Sequence, residues 1–424
     1  MRRVFVAAVA AGLLGCSGTE TTQPVNQAPT IAFAFDKIVV QKGVDANLSV
    51  TVSDANDDPL TITWQITSGT LVAQNAQKTV MRWTPPNSVG LDTVRVSVSD
   101  GQESDSIEEA LKRGTRTTAG VSQPSYVKSQ SPYILDTPLL VVLGPATTTI
   151  EAGVELYLEQ QDAVIDVIGT LRATGTETER VLIRPNDRTL RCGEERGWWR
   201  GIEATSEDQY SGFVDLTYTD VLYGVHDIFL LLGGASANLQ HCRILCAKEA
   251  GIRISDSGTL TVEHCEISNN QNHGIEISSL AAVPQAVTIR YSKIVSNGHT
   301  GVFVDLLDNL QQVPILIQYN RVEFNSVNGI VLSGAAWPAI SYNDMSLNNF
   351  STISNIRIVP PFPSGVVIGG EWDTLLVQHN YWGQSYSAGE VGSIEETITD
   401  AADHGQIDTR VIVSPWENQS QCIP

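Results

Sequence analysis

The chain has 424 residues, of which 42% are hydrophobic and 17% charged, and its formal net charge at neutral pH is −21. That balance belongs to a folded protein rather than a disordered one, and its length suggests roughly two to four domains unless a repeat builds one long unit. The acidity excludes nucleic acid as a partner, and a polyanionic ligand would need calcium or a local basic patch.

The first residues read as an export signal. Met1-Arg2-Arg3 is basic, and Val4 to Leu14 is an apolar run too short to span a bilayer. Leu13-Leu14-Gly15-Cys16 resembles the bacterial lipobox. The resemblance implies a signal peptide over residues 1–16, lipidation of Cys16 and a membrane partner reached through that lipid. Ser17, with no Asp after the cysteine, implies the outer membrane or cell surface of a bacterium as the destination. Residues 17–27 are a polar tether.

Residues 28–110 alternate in strand-sized runs, such as Leu48-Ser-Val-Thr-Val52 and Val94-Arg-Val-Ser-Val98, with turn signals between them. That is the signature of a small β-sandwich. The Asp-Asp-Pro-Leu-Thr…Trp64 and Trp83-Thr-Pro-Pro86…Val-Ser-Asp-Gly101 elements resemble Ig-like, PKD or cadherin-like modules. Asp54, Asn56, Asp57 and Asp58 could hold Ca²⁺ through oxygen ligands or form a solvated turn. Otherwise no cofactor or metal site is expected. Residues 111–128 are basic and turn-rich and read as a linker.

Residues 129–424 contain a repeat. Leu239-Gln-His-Cys-Arg-Ile244, Val262-Glu-His-Cys-Glu-Ile267, Ile289-Arg-Tyr-Ser-Lys-Ile294, Ile317-Gln-Tyr-Asn-Arg-Val322 and Ile340-Ser-Tyr-Asn-Asp-Met345 share one pattern. Their fourth positions, Cys242, Cys265, Ser292, Asn320 and Asn343, are spaced by 23, 27, 28 and 23 residues, and weaker copies add Thr219 and Asn380. A second column holds Asn270, Asn297, Asn325 and Asn348. A third holds glycines, in Ala-Gly-Ile-Arg-Ile254 and its three successors, expected where a bend needs positive φ. Such a period fits one turn of a solenoid with short strands. Equivalent side chains then stack about 4.8 Å apart, so ladder polar groups can satisfy bend amides while Ile, Val and Leu columns fill the inside.

The repeat resembles the right-handed parallel β-helix of pectate-lyase-like bacterial proteins, which implies an all-β fold: a β-helix behind an Ig-like sandwich. The series Thr149-Ile-Glu-Ala-Gly-Val154, Val167-Ile-Gly-Thr-Leu-Arg-Ala-Thr-Gly175 and Trp199-Arg-Gly-Ile202 resembles the opening coils of bacterial β-helix lipoproteins. Asn380-Tyr-Trp-Gly383 and Val413-Ser-Pro-Trp416 resemble their closing end. Trp198, Trp199, Trp382 and Trp416 are expected to plug the solenoid's ends. Cys242 and Cys265 should be stacked, buried and reduced. Cys192, Cys246 and Cys422 lie outside the ladder, with Cys192–Cys246 as one conceivable bridge.

Zinc at the paired His241-Cys242 and His264-Cys265 is disfavoured, because adjacent strand residues point to opposite sides. The column preceding the ladder, Tyr218, His241, His264, Tyr291, Tyr319, Tyr342 and His379, is the candidate ligand surface, a ribbon of rings against which sugars could pack. Glu263, Glu266, Glu276, Arg253, Arg290 and Lys293 are the outward candidates for catalytic acids and bases, and they read equally well as ion pairs across rungs. Asn272-His-Gly274 and Gly298-His299 resemble part of a polygalacturonase element whose accompanying Asn-Thr-Asp and Asp-Asp are missing. No catalytic residue is assigned. The expected function is non-catalytic display or binding of a glycan or other surface polymer. A diverged polysaccharide lyase or glycoside hydrolase, and a purely structural adhesin, are the alternatives. Convergent acids and bases with shifted pKa values would favour an enzyme, and exposed coplanar rings a glycan binder.

Overall fold

The computed structural model describes residues 25–193, 197–231, 233–255, 258–279, 286–306, 315–334, 338–345 and 348, and the backbone of strands 356–359, 374–378, 398–399 and 410–413. Cys16, the residue expected to carry a lipid, and His379, Asn380, Trp382, Trp416 and Cys422 lie outside the described residues.

Eight strands open the described chain: Thr30–Phe33 (β1), Val39–Gln41 (β2), Ala46–Ser53 (β3), Thr61–Ile66 (β4), Thr70–Ala73 (β5), Val80–Thr84 (β6), Gly90–Ser99 (β7) and Ser104–Thr117 (β8). Strands β1-β3-β6-β5 form one sheet, and β4-β7-β8, with β2 also paired to β8, form the other. Alternation decides which side is buried. Val94, Val96 and Val98 of β7 are fully inside with Leu48, Trp83 and Leu111. The Trp83 indole, sealed in that core, donates to Ser68 O at 3.0 Å. In the acidic turn, Asp54 Oδ1 accepts from the amides of Asn56 and Asp58 at 2.8 and 3.1 Å. That is a self-capped turn. Among the described residues no group of three or more His, Cys, Asp or Glu is arranged to hold a metal.

The stretch expected as a linker, residues 111–128, is not a free tether. Its first part completes β8, which pairs antiparallel with β7 as far as Gly90–Arg113 and then parallel with Tyr133–Leu135 of the first coil through Thr115, Arg116 and Thr117. The basic residues that suggested solvation have acidic partners distant in sequence. Arg113 Nε lies 2.5 Å from Asp92, Lys112 Nζ 2.6 Å from Glu155, and Arg116 pairs with Asp136. A second contact comes from the coil side. Asn186, 1% exposed, accepts from the amides of Ile38 and Val39 and donates to Val39 O at 2.8 Å. Arg188 donates to Lys37 O, Ala110 O and Glu109.

Beyond β8 the chain winds into three-sided coils. In one, Phe213–Thr217 lies on the first face, Thr219–Leu222 on the second and Ile228–Leu231 on the third, before Ala235–Gln240 returns to the first. Successive coils pair parallel and in register, and the second face is continuous with the sandwich through β8. Inward columns such as Ile244-Ile267-Ile294-Val322 and Leu239-Val262-Ile289-Ile317 are all fully buried. Each such side chain stabilises the fold by about 1.5–3 kcal/mol relative to exposure.

Two expectations about these coils need correcting. The recurrent glycines do not supply positive φ: none of Gly251, Gly274 and Gly301 has it. A Cβ on Gly274 would instead lie 2.7 Å from Gly301 O and 2.8 Å from Asn297 Nδ2, and one on Gly301 2.6 Å from Gly329 O and 2.8 Å from Asn325 Nδ2. These glycines make room for the asparagine ladder. Trp199 does not plug an end; it is fully buried within the core of a coil and donates to Leu222 O at 2.8 Å. Trp198 is partly buried against the same core. The N-terminal end is instead continued by β8. Cys192 and Cys246 form a disulfide with Cα atoms 5.1 Å apart, tying the loop that bears Asn186 and Arg188 to a coil corner, while Cys242 and Cys265 are free and buried.

Candidate functional site

At the corner between the first and second faces, one residue per coil adopts left-handed backbone: Tyr218, His241, His264, Tyr291, Tyr319 and Tyr342, at φ of 44 to 58°. This twist turns the ring outward and the next residue inward, to Thr219, Cys242, Cys265, Ser292, Asn320 and Asn343, all buried. The inward residues form a ladder. Cys242 N donates to Cys265 Sγ, Cys265 N to Ser292 Oγ, Ser292 N to Asn320 Oδ1 at 3.0 Å and Asn320 N to Asn343 Oδ1 at 3.0 Å. Asn320 and Asn343 also donate to the preceding coil's Ile289 O and Ile317 O.

The outward rings stack face to face. Their centroids lie 4.4, 4.9, 5.1, 5.1 and 4.8 Å apart and their planes within 15° of parallel. The rings therefore cover one another's faces and offer solvent their edges: phenol hydroxyls and imidazole nitrogens at rung spacing. This differs from a flat platform for sugar stacking. Beside the rings runs the outward column Asp220, Arg243, Glu266, Lys293 and Arg321. Tyr218, His241, His264 and Tyr291 line a groove of about 580 Å³ together with Glu177, Arg180, Arg243, Glu266 and Lys293. Arg180 closes one end, with its guanidinium 5.6 Å from the Tyr218 ring and hydrogen bonds to Asp220 Oδ1 and His241 O. Desolvation, His264 and Arg180 together push the His241 pKa down, so that ring is neutral at neutral pH.

The corner between the second and third faces uses the same left-handed twist, at Tyr223, Cys246, Asn269, Ser296 and Phe324. Its inward ladder is asparagine. Asn270 donates twice to Asn297 Oδ1, Asn297 twice to Asn325 Oδ1 and Asn325 twice to Asn348 Oδ1, while Asn297 and Asn325 also reach Ile267 O and Ile294 O. Ala247 N donates to Asn270 Oδ1 at 2.9 Å.

The third face gathers a group that the repeat pattern did not reveal. Arg253 Nε lies 3.4 Å from Glu276 Oε1, its Nη1 3.4 Å from His226 Nε2, and its guanidinium 5.3 Å from the Phe229 ring. His226 is also 3.3 Å from Glu249. His273 stacks on Phe303 at 4.7 Å and meets His299 edge-on at 5.0 Å. Burial pushes the Glu276 carboxyl up despite Arg253. Burial, His299 and Arg253 push His273 down to about 3, and burial likewise lowers His226. Of the outward ion pairs expected from sequence, Arg253–Glu276 forms, whereas Arg290 donates to Gln318. His226, Glu249 and the two phenylalanines carried no recurring signal. His273 and His299 did, as the His-Gly and Gly-His elements, which the fold brings together.

Residues 26–109 match the family model described as Bacterial Ig domain, and residues 226–311 match the one described as Right handed beta helix region. No curated protein and no solved structure matches the chain. The chain therefore carries a bacterial Ig domain joined to a right-handed parallel β-helix.

Proposed function

We propose that this is a lipid-anchored bacterial surface protein that binds an extended glycan, without cleaving it, along the groove beside the ring column. One observation carries the reading. Both corners share a left-handed backbone and an inward polar ladder, yet only one of them presents an aromatic or imidazole ring in every described coil from Tyr218 to Tyr342. The corner backbone does not require rings, since Asn269 and Ser296 serve equally at the other. Polar ring edges repeating at rung spacing beside alternating charges form a periodic surface, and a periodic polymer is the ligand that can use it. The anchor is the lipid on Cys16.

A panel of soluble and cell-wall polysaccharides, scored for retention on the full chain, tests the binding. Retention should fall at least tenfold in Tyr291→Asn with folding intact; unchanged retention overturns the assignment. Labelling with a fatty-acid analogue tests the anchor, and Cys16→Ser should abolish incorporation. Release of unsaturated or reducing ends from any polymer would support the second reading, a diverged lyase or hydrolase, which the convergence of Arg253 and Glu276 favours.

A further inference from the structure

The ring groove carries a charge pattern that its own ion pairs do not use up. Beside the rings, Asp220, Arg243, Glu266 and Lys293 are register partners on successive strands, and their sign alternates from rung to rung. Opposite charges one rung apart can pair with each other. Here they mostly do not. Among the described residues, Glu266 forms no ion pair with Arg243 or Lys293 and instead accepts from Ser268 Oγ at 3.2 Å. Lys293 is exposed and forms no ion pair. Arg243, also exposed, lies 3.7 Å from Asp220, which already accepts from Arg180 at 2.7 Å. The alternation ends at Arg321, held 2.5 Å from Glu323. Within the groove Arg180, Arg243 and Lys293 face Glu177 and Glu266, so cations outnumber anions there on a chain of net charge −21.

We propose that the groove takes an acidic β-1,4-linked glycan, whose carboxylates meet Arg243 and Lys293. This names the ligand class of the site proposed above and rests on that reading. Arg243 and Lys293 stand two rungs, roughly 10 Å, apart. Successive sugars of an extended β-1,4 chain advance by nearly one rung and turn over by half a revolution. Any substituent therefore returns to the same side at every second sugar. Acid groups on that side fall at Arg243 and Lys293, and the sugar between them turns its own acid away from Glu266. Both cations reach solvent, and neither has to break a tight ion pair before donating to a carboxylate. The ring edges meet the sugar hydroxyls. An α-1,4-linked galacturonan carries the same acid but twists away from the two-sugar period.

Isothermal titration of the full chain tests it with three oligomers of equal length. These are a β-1,4-glucuronan, a cello-oligosaccharide with the same backbone and no acid, and an α-1,4-galacturonan. We expect the glucuronan to bind about tenfold or more tightly than either of the others. Arg243→Gln and Lys293→Gln should each weaken it about tenfold, and Glu266→Gln should strengthen it severalfold by removing a like charge. All three positions are on the surface, and thermal unfolding checks that each variant is folded. Equal affinity for the cello-oligosaccharide or the galacturonan, or weaker binding in folded Glu266→Gln, would overturn it. If such binding still falls in Tyr291→Asn, the groove reading survives without it. Binding by none of the three would also overturn it, and ring-dependent retention of the wider polysaccharide panel then decides separately whether the groove reading stands.

Discussion

The two ladder corners of the β-helix are nearly the same object on the inside and different objects on the outside. Each bends through one left-handed, non-glycine residue, and from Cys265 and Asn270 onward each follows it with a buried side chain that caps the preceding coil's amide. Left-handed backbone costs an ordinary side chain roughly 1–2 kcal/mol, and Asn tolerates it best. The second corner spends this position on an assortment: Tyr223, Cys246, Asn269, Ser296 and Phe324. The first gives it to a Tyr or His in each of six coils. The inward column is thus dictated by unpaired amides in the bend, while the outward column is a free choice made consistently at one corner only.

Substitutions at the two corners break or sharpen that comparison. The largest effect should come from the shared inside. Asn297→Ala strands the Asn270 amide and the Ile267 and Asn325 partners, and Asn320→Ala does the equivalent at the first corner. Each should lose about 3 kcal/mol or more in urea unfolding. A near-neutral result at one corner alone would show that the two ladders are not equivalent.

Next comes a pH effect peculiar to the flank of the second corner. The His273 pKa is about 3 in the fold against an ordinary 6.5, so between those values the unfolded chain binds the extra proton. Stability should therefore fall as pH drops from about 6.5 towards 3, by on the order of a few kcal/mol, and His273→Asn should flatten the slope. Glu276, shifted upward, acts with the opposite sign just above its ordinary value and blunts the net curve.

At the junction, Asn186→Ala removes the acceptor for two sandwich amides, and a loss of about 2 kcal/mol is expected in thermal unfolding. The smallest stability change belongs to the outward rings. Tyr291→Asn forfeits two stacking contacts, each about 0.5–1.5 kcal/mol, but relieves a left-handed tyrosine, so the net shift should stay near 1 kcal/mol. Glycan retention should fall nonetheless, whereas Phe324→Asn at the other corner should leave it untouched.

The architecture was legible because every coil restates it: a ladder residue seen once is a polar side chain, but seen at Cys265, Ser292, Asn320 and Asn343 it is a column. Backbone angles were not legible. Positive φ was expected at Gly274 and Gly301, the residues that tolerate it best, but the chain places it at His264 and Tyr291 and uses glycine where an asparagine amide needs space. The supposed linker misled because local composition hides distant partners: Arg113 and Arg116 look solvated until Asp92 and Asp136 are folded against them. The third-face cluster escaped for the converse reason. His226, Glu249 and Phe303 do not recur, so periodicity could not find them.

The strand β8, half sandwich and half coil, also bears on how the chain assembles. A parallel coil is slow to start, because closing its first turn orders many residues before any neighbour rewards it. Domains finish from the N-terminal side during synthesis. A completed sandwich therefore presents Thr115 to Thr117 as a ready edge, and the first turn can crystallise on it as on a seed. Refolding of a chain lacking residues 25–110 should accordingly lag well behind that of the whole, even where its final spectrum is the same.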